Sequence, residues 1–201
     1  MDKTKKLEAE GVAEFQPKPL DLGIEAVEDP QEKIEVNLNN PKQKVPGLRL
    51  NIGSGVDYKE GFVNVDPFDD DADVKAFAQS LPFHDNSVAQ IVCYQVLEHI
   101  PQLEVLPVLK EFHRVLKANG NLVLAVPDMV GSCERFLADP ENDWSLARIY
   151  GTQAHEGQFH KSGFTPKRLF KYCGYAGFRT VGIAYFNEGN GVRNLYVDAT
   201  K

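Results

Sequence analysis

The chain has 201 residues, which suits one globular domain of ordinary size with a substantial core. Its apolar fraction of 42% and charged fraction of 25% are those of a folded protein, and its net charge of −7 argues against a nucleic-acid partner. No apolar stretch is long enough to predict a membrane span, and the first residues lack the apolar core of a signal peptide.

The three cysteines, Cys93, Cys133 and Cys173, are widely spaced and form no Cys-x-x-Cys pair. An odd number of separated cysteines predicts buried thiols in a reducing compartment, rather than a disulfide framework or a zinc site. We therefore expect a cytoplasmic protein.

The first 46 residues are polar, interrupted by prolines and poor in hydrophobic periodicity. This composition predicts an N-terminal arm (1–46) that is partly ordered at best, followed by the folded domain (47–201). The domain begins with short runs of the kind found in buried parallel strands: LRLNI, GFVNV, VAQIVCY and NLVLAV. A weaker run, DVKAF, lies between the second and the third.

A helix is predicted between Pro101 and Lys117, because apolar residues recur there on one helical face and Pro107 suits a first turn or a kink. Ala118-Asn119-Gly120 is expected to end this helix in a left-handed conformation. The chain then looks helical in pieces to about Tyr150, and Trp144 and Tyr150 are expected to pack in the core or a lid.

The last quarter of the chain combines a loop, a helix and two strands. The loop GTQAHEGQFHKSGF precedes Thr165-Pro166, which suits the N-cap and first position of a helix. Two final runs, FRTVGIAYF and GVRNLYVDA, are separated by a loop at 187–191 that suits a hairpin. Strands alternating with helices before a terminal hairpin predict a doubly wound α/β sheet whose last strand is antiparallel.

The stretch LRLNIGSGVDYKEGFVNVD contains the features of a nucleotide-cofactor site. Gly53 and Gly55 follow the first strand, where glycines let the backbone approach a ligand, and Asp66 ends the second strand, where an acid can hold ribose hydroxyls. A dinucleotide fingerprint would need a third glycine and an acid about 20 residues on. The short link instead favours a cofactor without a pyrophosphate, such as S-adenosylmethionine.

The order of motifs resembles class I S-adenosylmethionine-dependent methyltransferases, most closely a short bacterial subgroup of the methyltransferase type 11 kind. The motifs are LRLNIGSG, GFVNVD, SLPFHDNSVAQIVCYQVLEHI and EFHRVLKANGNLVLAVPD, and the resemblance extends through HKSGFTPKRLFKYCGYAGF. It implies a Rossmann-like fold with a shortened link between the first two strands. It also implies S-adenosyl-L-methionine as cofactor, with these contacts: Gly53, Ser54 and Gly55 to the methionine tail, Asp66 to the ribose, Phe77 and Ala78 to the adenine, Tyr94 and Gln95 facing the methyl group.

The sequence also departs from the family pattern. Phe77 stands where relatives often carry an acid that accepts the adenine amino group; a phenyl ring can stack on or edge the adenine, but it accepts no such bond. Asn51 stands where many relatives carry an acid, although the subgroup also uses asparagine. These departures leave open a non-catalytic S-adenosylmethionine-binding module, acting as a sensor or subunit.

Two histidines are candidates for a catalytic base. His99 follows VAQIVCY, the fourth predicted strand when DVKAF is counted, and so lies near the expected opening of the active site. The alternative is a structural role for this histidine. His160 lies in the late loop and suits substrate capture, with a plain surface position as the alternative. His155 and His160 form a His-x4-His pair without a third ligand, so no metal site is predicted. The expected reaction is methyl transfer to a small-molecule or glycan-type acceptor, at oxygen.

Overall fold

A computed structural model describes residues 47–187 and 193–201. The predicted N-terminal arm (1–46) and most of the predicted hairpin loop (187–191) lie outside the described residues. The described part holds one sheet of six strands. The strands are β1 (Leu48–Ile52), β2 (Val63–Val65), β3 (Val88–Tyr94), β4 (Leu116–Pro127), β5 (Thr180–Asn187) and β6 (Arg193–Thr200).

Four α-helices and two short 3₁₀ turns accompany these strands in the described residues. The helices are α1 (Val105–Val115), α2 (Met129–Ala138), α3 (Asp143–Tyr150) and α4 (Pro166–Ala176), and the 3₁₀ turns are Leu97–His99 and Glu156–Gln158. Helix α4 begins as the sequence predicts, because Thr165 accepts a hydrogen bond from the Arg168 amide and Pro166 takes the first turn. Gly177 ends it at a φ of 102°.

The strand order is β2-β1-β3-β4-β6-β5, with β2, β1, β3 and β4 parallel and β6 and β5 antiparallel to their neighbours. The predicted doubly wound sheet with an antiparallel end is therefore confirmed. The chain passes from β1 to β2 on one side and then returns to β3 on the other. Ligands of such sheets bind where the winding direction changes, at the carboxyl ends of the strands.

The core explains why the central strands read as continuous apolar runs. Six of the seven residues of β3 are buried, and β1 and β4 flank it on both sides. Helix α1 buries one face against the body of the domain through Val105, Val108, Leu109, Phe112 and Val115. The packing therefore fixes the carboxyl ends of the central strands and the residues that follow them.

Several local predictions need correction. The helix predicted to Lys117 ends at Val115, because Leu116 already has extended backbone and begins β4; the left-handed Asn119 lies inside that strand. The DVKAF run contributes a single bridge between Val65 and Val74 rather than a strand. Pro107 lies in the first turn of α1, as one of the two alternatives predicts.

The region of α2 and α3 is more exposed than the sequence predicts. Cys93 and Cys173 are buried, but Cys133 on α2 is exposed. Trp144 and Tyr150, expected in the core or a lid, are 49% and 57% exposed. Each of these helices buries one serine, Ser132 or Ser145, and none of its apolar residues is fully buried, so hydrophobic identity there did not translate into burial.

Candidate active site

The glycine loop (residues 53–62) joins β1 to β2. The amides of Gly53 and Ser54 donate to the Val65 carbonyl at 2.8 and 3.3 Å, which folds the start of the loop onto the end of β2. Gly53 and Gly55 both have left-handed backbone, with φ of 67° and 44°. Both positions therefore require glycine on conformational grounds.

The two glycines differ in their surroundings. A Cβ on Gly53 would overlap Cγ2 of Val96, which lies just beyond β3, so Gly53 allows the two segments to pack together. A Cβ on Gly55 would meet no atom within 4 Å. Gly55 therefore borders open space, as expected of backbone that a ligand approaches.

Asp66 follows β2 and is 9% exposed. One carboxylate oxygen accepts from the Gly55 amide at 3.0 Å, and the other accepts from the amides of Phe68 and Asp69 at 2.8 and 3.0 Å. A carboxylate has about four acceptor positions, so three backbone bonds leave about one for a ligand. Asp66 thus fixes the glycine loop and the turn after β2.

A buried amide network takes the place of the helix that usually follows a glycine motif. The Asn51 side chain donates to the Asp57 carbonyl at 2.8 Å and to Asn64 Oδ1 at 3.0 Å. The same Oδ1 accepts the Lys59 amide at 2.9 Å, and the Asn64 side chain donates to Asp73 at 3.0 Å. The asparagine that departs from the common family pattern therefore holds the short loop in place.

The glycine loop fits an S-adenosylmethionine-type cofactor in two respects. The Ser54 hydroxyl is buried, and no donor or acceptor among the described residues reaches it. Next to it, Gly55 faces open space. A buried hydroxyl without a partner is costly unless a ligand supplies one.

Two exposed aromatic rings border the turn after Asp66. Phe77 is 57% exposed, and its ring meets that of Phe68 edge to face at a centroid distance of 5.9 Å. The neighbouring Ala78 is buried. Phe68 also lies close to Gly157, where a Cβ would come within 3.1 Å of its ring. Sequence analysis missed Phe68; its signal was an apolar residue among aspartates.

Tyr94 and Gln95 stand where β3 ends. Gln95 has a φ of 55°, a strained value for a residue with a side chain, and its amide donates to the Ala125 carbonyl at 2.7 Å. The Tyr94 ring lies 6.4 Å from that of Tyr196 and 5.4 Å from the Lys59 ammonium. Burial raises the pKa of Tyr94, and a hydrogen bond with Tyr196 opposes that shift, so Tyr94 is a neutral phenol at neutral pH.

The two histidines that sequence analysis weighed as rival candidates lie in contact, edge to face. The rings of His99, in the 3₁₀ turn after β3, and His160, in the late loop (residues 151–164), are 5.0 Å apart at a steep angle. His99 Nδ1 is 3.1 Å from the Phe159 carbonyl. Burial lowers the pKa of His99; burial and the neighbouring His99 lower that of His160 to about 4. Both imidazoles are therefore neutral at neutral pH.

Glu98, beside His99, is an acid that sequence analysis did not single out. It is 2% exposed, and among the described residues no donor of another side chain or backbone group bonds either carboxylate oxygen. Burial raises the pKa of Glu98 to about 8, against the opposing charge of Arg148. The signal available in the sequence was an acid that directly follows a buried strand. Glu98, His99 and His160 each offer an atom within 4.8 Å of the others.

A family model matches the part of the chain that builds most of this site. Residues 50–124 match the family model described as a methyltransferase domain. This match covers the glycine loop, Asp66 and the segment of Glu98 and His99, but it ends before the late loop. A search of curated protein sequences finds no match.

Solved structures show the same fold at low sequence identity. A S-adenosylmethionine-dependent methyltransferase from Archaeoglobus fulgidus has 18% identity and a TM-score of 0.57, covering 78% of this chain and 87% of its own. A possible histamine N-methyltransferase from Thermotoga maritima has 17% identity and a TM-score of 0.54, covering 77% and 82%. The 1,6-didemethyltoxoflavin-N1-methyltransferase of Burkholderia thailandensis, solved with its substrate and S-adenosylhomocysteine, has 14% identity and a TM-score of 0.55, covering 78% and 71%.

Residues 50–124 are therefore similar to a methyltransferase domain, and the described sheet has the fold of solved S-adenosylmethionine-dependent methyltransferases. The sequence predicts S-adenosyl-L-methionine as cofactor, and the Burkholderia thailandensis structure of the same fold holds S-adenosylhomocysteine. In the part of the chain that the structure describes, none of the helices has the length and apolar character that a bilayer crossing requires.

Proposed function

We propose that the protein methylates an oxygen atom of a small-molecule or glycan-type acceptor. The observation that carries this proposal is the contact between His99 and His160, 5.0 Å apart, next to the end of β3. Val96, two residues before Glu98, packs on Gly53 of the glycine loop. The histidine pair is therefore close in the fold to the segment that would hold the cofactor.

The residues of the glycine loop and its neighbours would hold the cofactor, which supplies a methyl group on a positively charged sulfur. The backbone and the Ser54 hydroxyl between Gly53 and Gly55 would bind the methionine tail. Asp66, with three acceptor positions already used, would accept one ribose hydroxyl rather than two. Phe77 would lie along the adenine with Ala78 behind it, and Tyr94 and Gln95 would border the methyl group.

The histidine pair would serve the acceptor. A carbonyl only accepts, so the contact with Phe159 requires a proton on Nδ1 of His99 and leaves Nε2 as a lone-pair acceptor. An acceptor hydroxyl placed at Nε2 could transfer its proton there as oxygen attacks carbon. His160, on the late loop, would help to position the same hydroxyl and exclude water.

A second candidate function is a non-catalytic S-adenosylmethionine-binding module. It is favoured by the occupied acceptor positions of Asp66 and by Phe77, which offers no acceptor to the adenine amino group. Such a module would bind the cofactor without turning over any acceptor.

We also propose the setting in which the protein works. The free thiols of Cys93, Cys133 and Cys173 support a cytoplasmic location, and the net charge of −7 supports an acceptor other than nucleic acid. The methyltransferase domain would span residues 47–201, preceded by a polar arm (1–46).

An acceptor screen tests the proposed function. Hydroxylated and amine compounds would be incubated with the protein and S-adenosylmethionine, and S-adenosylhomocysteine formation measured. Turnover of a hydroxyl acceptor is expected, with His99→Asn lowering kcat and His160→Asn mainly raising the KM for the acceptor. Turnover of amines alone would contradict oxygen methylation, whereas unchanged kinetics in both variants would contradict the roles given to the two histidines.

A binding measurement separates the two candidate functions. S-adenosylhomocysteine should raise the melting temperature and NAD should not, because the glycine loop lacks the helix start that a pyrophosphate needs. Cofactor binding with no turnover of any acceptor would favour the non-catalytic module.

A further inference from the structure

We propose that Glu98, His99 and His160 together bind a divalent transition-metal ion. The binding itself does not depend on the acceptor, but the role given to the ion below rests on the proposed function. In the sequence, the late-loop pair of His155 and His160 has no third metal ligand at a suitable spacing. In the fold, His160 instead meets two possible ligands, Glu98 and His99, from the 3₁₀ turn after β3.

The two segments that carry these residues are fixed to each other by their backbones. The Lys161 and Ser162 amides donate to the Glu98 carbonyl at 2.6 and 3.1 Å, and the Ser162 hydroxyl donates to the Leu97 carbonyl at 2.9 Å. The donor atoms of the three side chains consequently lie within 4.8 Å of one another as part of the fold. Preorganised ligands of this kind bind an ion without having to order a loop.

Glu98 is the observation that points to a ligand. Its carboxylate is 2% exposed and, within the described residues, has no hydrogen-bond donor from any neighbour. Buried polar groups are nearly always paired, so a buried carboxyl without a partner is costly. A cation between the carboxylate and the two imidazoles would supply the missing partner.

His99 is oriented as a metal-bound histidine usually is. Its Nδ1 faces the Phe159 carbonyl at 3.1 Å, so the proton sits on Nδ1 and the Nε2 lone pair is free to coordinate. The carbonyl fixes both the ring direction and the tautomer of His99. The His160 ring lies 5.0 Å from that of His99.

Two imidazoles and one carboxylate favour Zn²⁺ or a neighbouring first-row ion over Mg²⁺ or Ca²⁺. Three protein ligands leave at least one coordination position open, which is the pattern of a catalytic site. Arg148 and Lys161 lie near enough to act on the cluster electrostatically, so their positive charges would moderate the affinity for a cation.

The open position would hold the acceptor hydroxyl. An ion polarises this oxygen and lowers its pKa, so the hydroxyl proton passes to solvent water. The oxygen then forms the bond to the methyl carbon while the carbon–sulfur bond breaks, leaving its electron pair on sulfur. His99 and His160 would in that case serve acceptor activation as ligands, and no histidine need take the proton.

Metal titration of the untagged full chain tests the site. Residues 1–46 contain neither histidine nor cysteine, so the whole chain can be used. Protein stripped with EDTA would be titrated with Zn²⁺ by calorimetry and with Co²⁺ by visible absorption. We expect one ion per chain and a Co²⁺ ligand-field band, with Zn²⁺ affinity reduced by about ten-fold or more in Glu98→Gln and His160→Asn.

His155→Asn is the matched control, because His155 lies in the same loop but outside the three-residue cluster. It should leave Zn²⁺ affinity within about two-fold, and circular dichroism should show all variants folded. Absence of Zn²⁺ binding by the wild type, or binding that the cluster variants leave unchanged, would overturn the metal site.

The role of the ion is tested separately once an acceptor is known. EDTA should abolish turnover and Zn²⁺ should restore it, without any change in S-adenosylhomocysteine affinity. Full activity in EDTA would overturn the role, while ion binding without turnover of any acceptor would count against the proposed function alone.

Discussion

The two sides of the active site differ in how their buried polar groups are paired. On the glycine-loop side, Asn51 and Asn64 bond to each other and to backbone, and Asp66 accepts three amides. On the late-loop side, the Glu98 carboxylate has no donor among the described residues, although the backbone around it is well bonded. Apart from the Ser54 hydroxyl, the first side is complete as folded, whereas the second lacks a partner for a buried acid.

This difference separates two ways of building a site. Where the polar groups already satisfy one another, the ligand meets a finished surface and its affinity comes from fit. Where a buried polar group is unpaired, the ligand supplies its hydrogen-bond or ionic partner, and the folded protein is less stable until the ligand binds. Substitutions on the two sides should therefore affect folding and binding in opposite proportions.

The largest effect is expected from Gly53→Ala. The new Cβ would overlap Val96 and would also sit at a φ of 67°, so the unfolding free energy should fall by about 2–4 kcal/mol. Urea denaturation followed by circular dichroism measures the loss.

Gly55→Ala is the matched control, with φ at 44° but open space around the new methyl group. It should cost only about 1–2 kcal/mol of unfolding free energy, from the left-handed backbone. Its larger effect should be on S-adenosylhomocysteine affinity, since the methyl group enters the space left for the ligand. Equal stability losses in both variants would mean that Val96 moves aside and that the loop is softer than its contacts imply.

The next prediction compares the replacement of an acid by its amide on the two sides of the active site. Asp66→Asn removes charge-assisted acceptors from three amides, so the unfolding free energy should fall by about 2 kcal/mol. Glu98→Gln in EDTA should cost less than about 0.5 kcal/mol, because a buried amide replaces an acid that had no partner to lose. Both values come from the same denaturation series at pH 7. A stability loss in Glu98→Gln as large as that in Asp66→Asn would contradict the difference between the two sides.

The glycine-loop side could be predicted from the sequence because its signals are local. Gly53, Gly55 and Asp66 lie within one short stretch, and the missing third glycine and the early acid there disfavour a dinucleotide. The bonds of Asn51 could not be predicted, since an asparagine at the end of a strand does not reveal which loop carbonyl or side chain it meets.

The late-loop side depends on contacts distant in sequence, which explains what was missed there. The sequence predicts His99 and His160 as alternative candidates for the catalytic base. The residues between them give no sign that the 3₁₀ turn and the late loop are hydrogen-bonded to each other through their backbones. Glu98 has the character of a surface acid until the burial of its turn is known. The exposure of Trp144 and Cys133 has the same origin, since burial depends on what a helix packs against.

The smallest effect is expected at Phe77, the proposed adenine contact, whose ring meets that of Phe68. Because its ring is 57% exposed, Phe77→Ala should change the unfolding free energy by less than about 0.5 kcal/mol. If the ring lies along the adenine, S-adenosylhomocysteine affinity should fall about five-fold, the value of one aromatic contact. Phe186→Ala, on the edge strand β5 at 51% exposure, is the control and should leave affinity unchanged.

Phe77→Asp tests whether the Phe77 ring stands where an ancestral site carried an acid. The exposure of Phe77 means that a carboxylate there remains solvated, so folding should be unaffected and the binding measurement is clean. An acid at this position could accept the adenine amino group, which a phenyl ring cannot. Tighter S-adenosylhomocysteine binding than in the wild type would indicate a site that has lost an acid and would favour the non-catalytic module. Weaker binding, as in Phe77→Ala, would indicate that the ring itself is the adenine contact and that the edge it forms with Phe68 belongs to the working site.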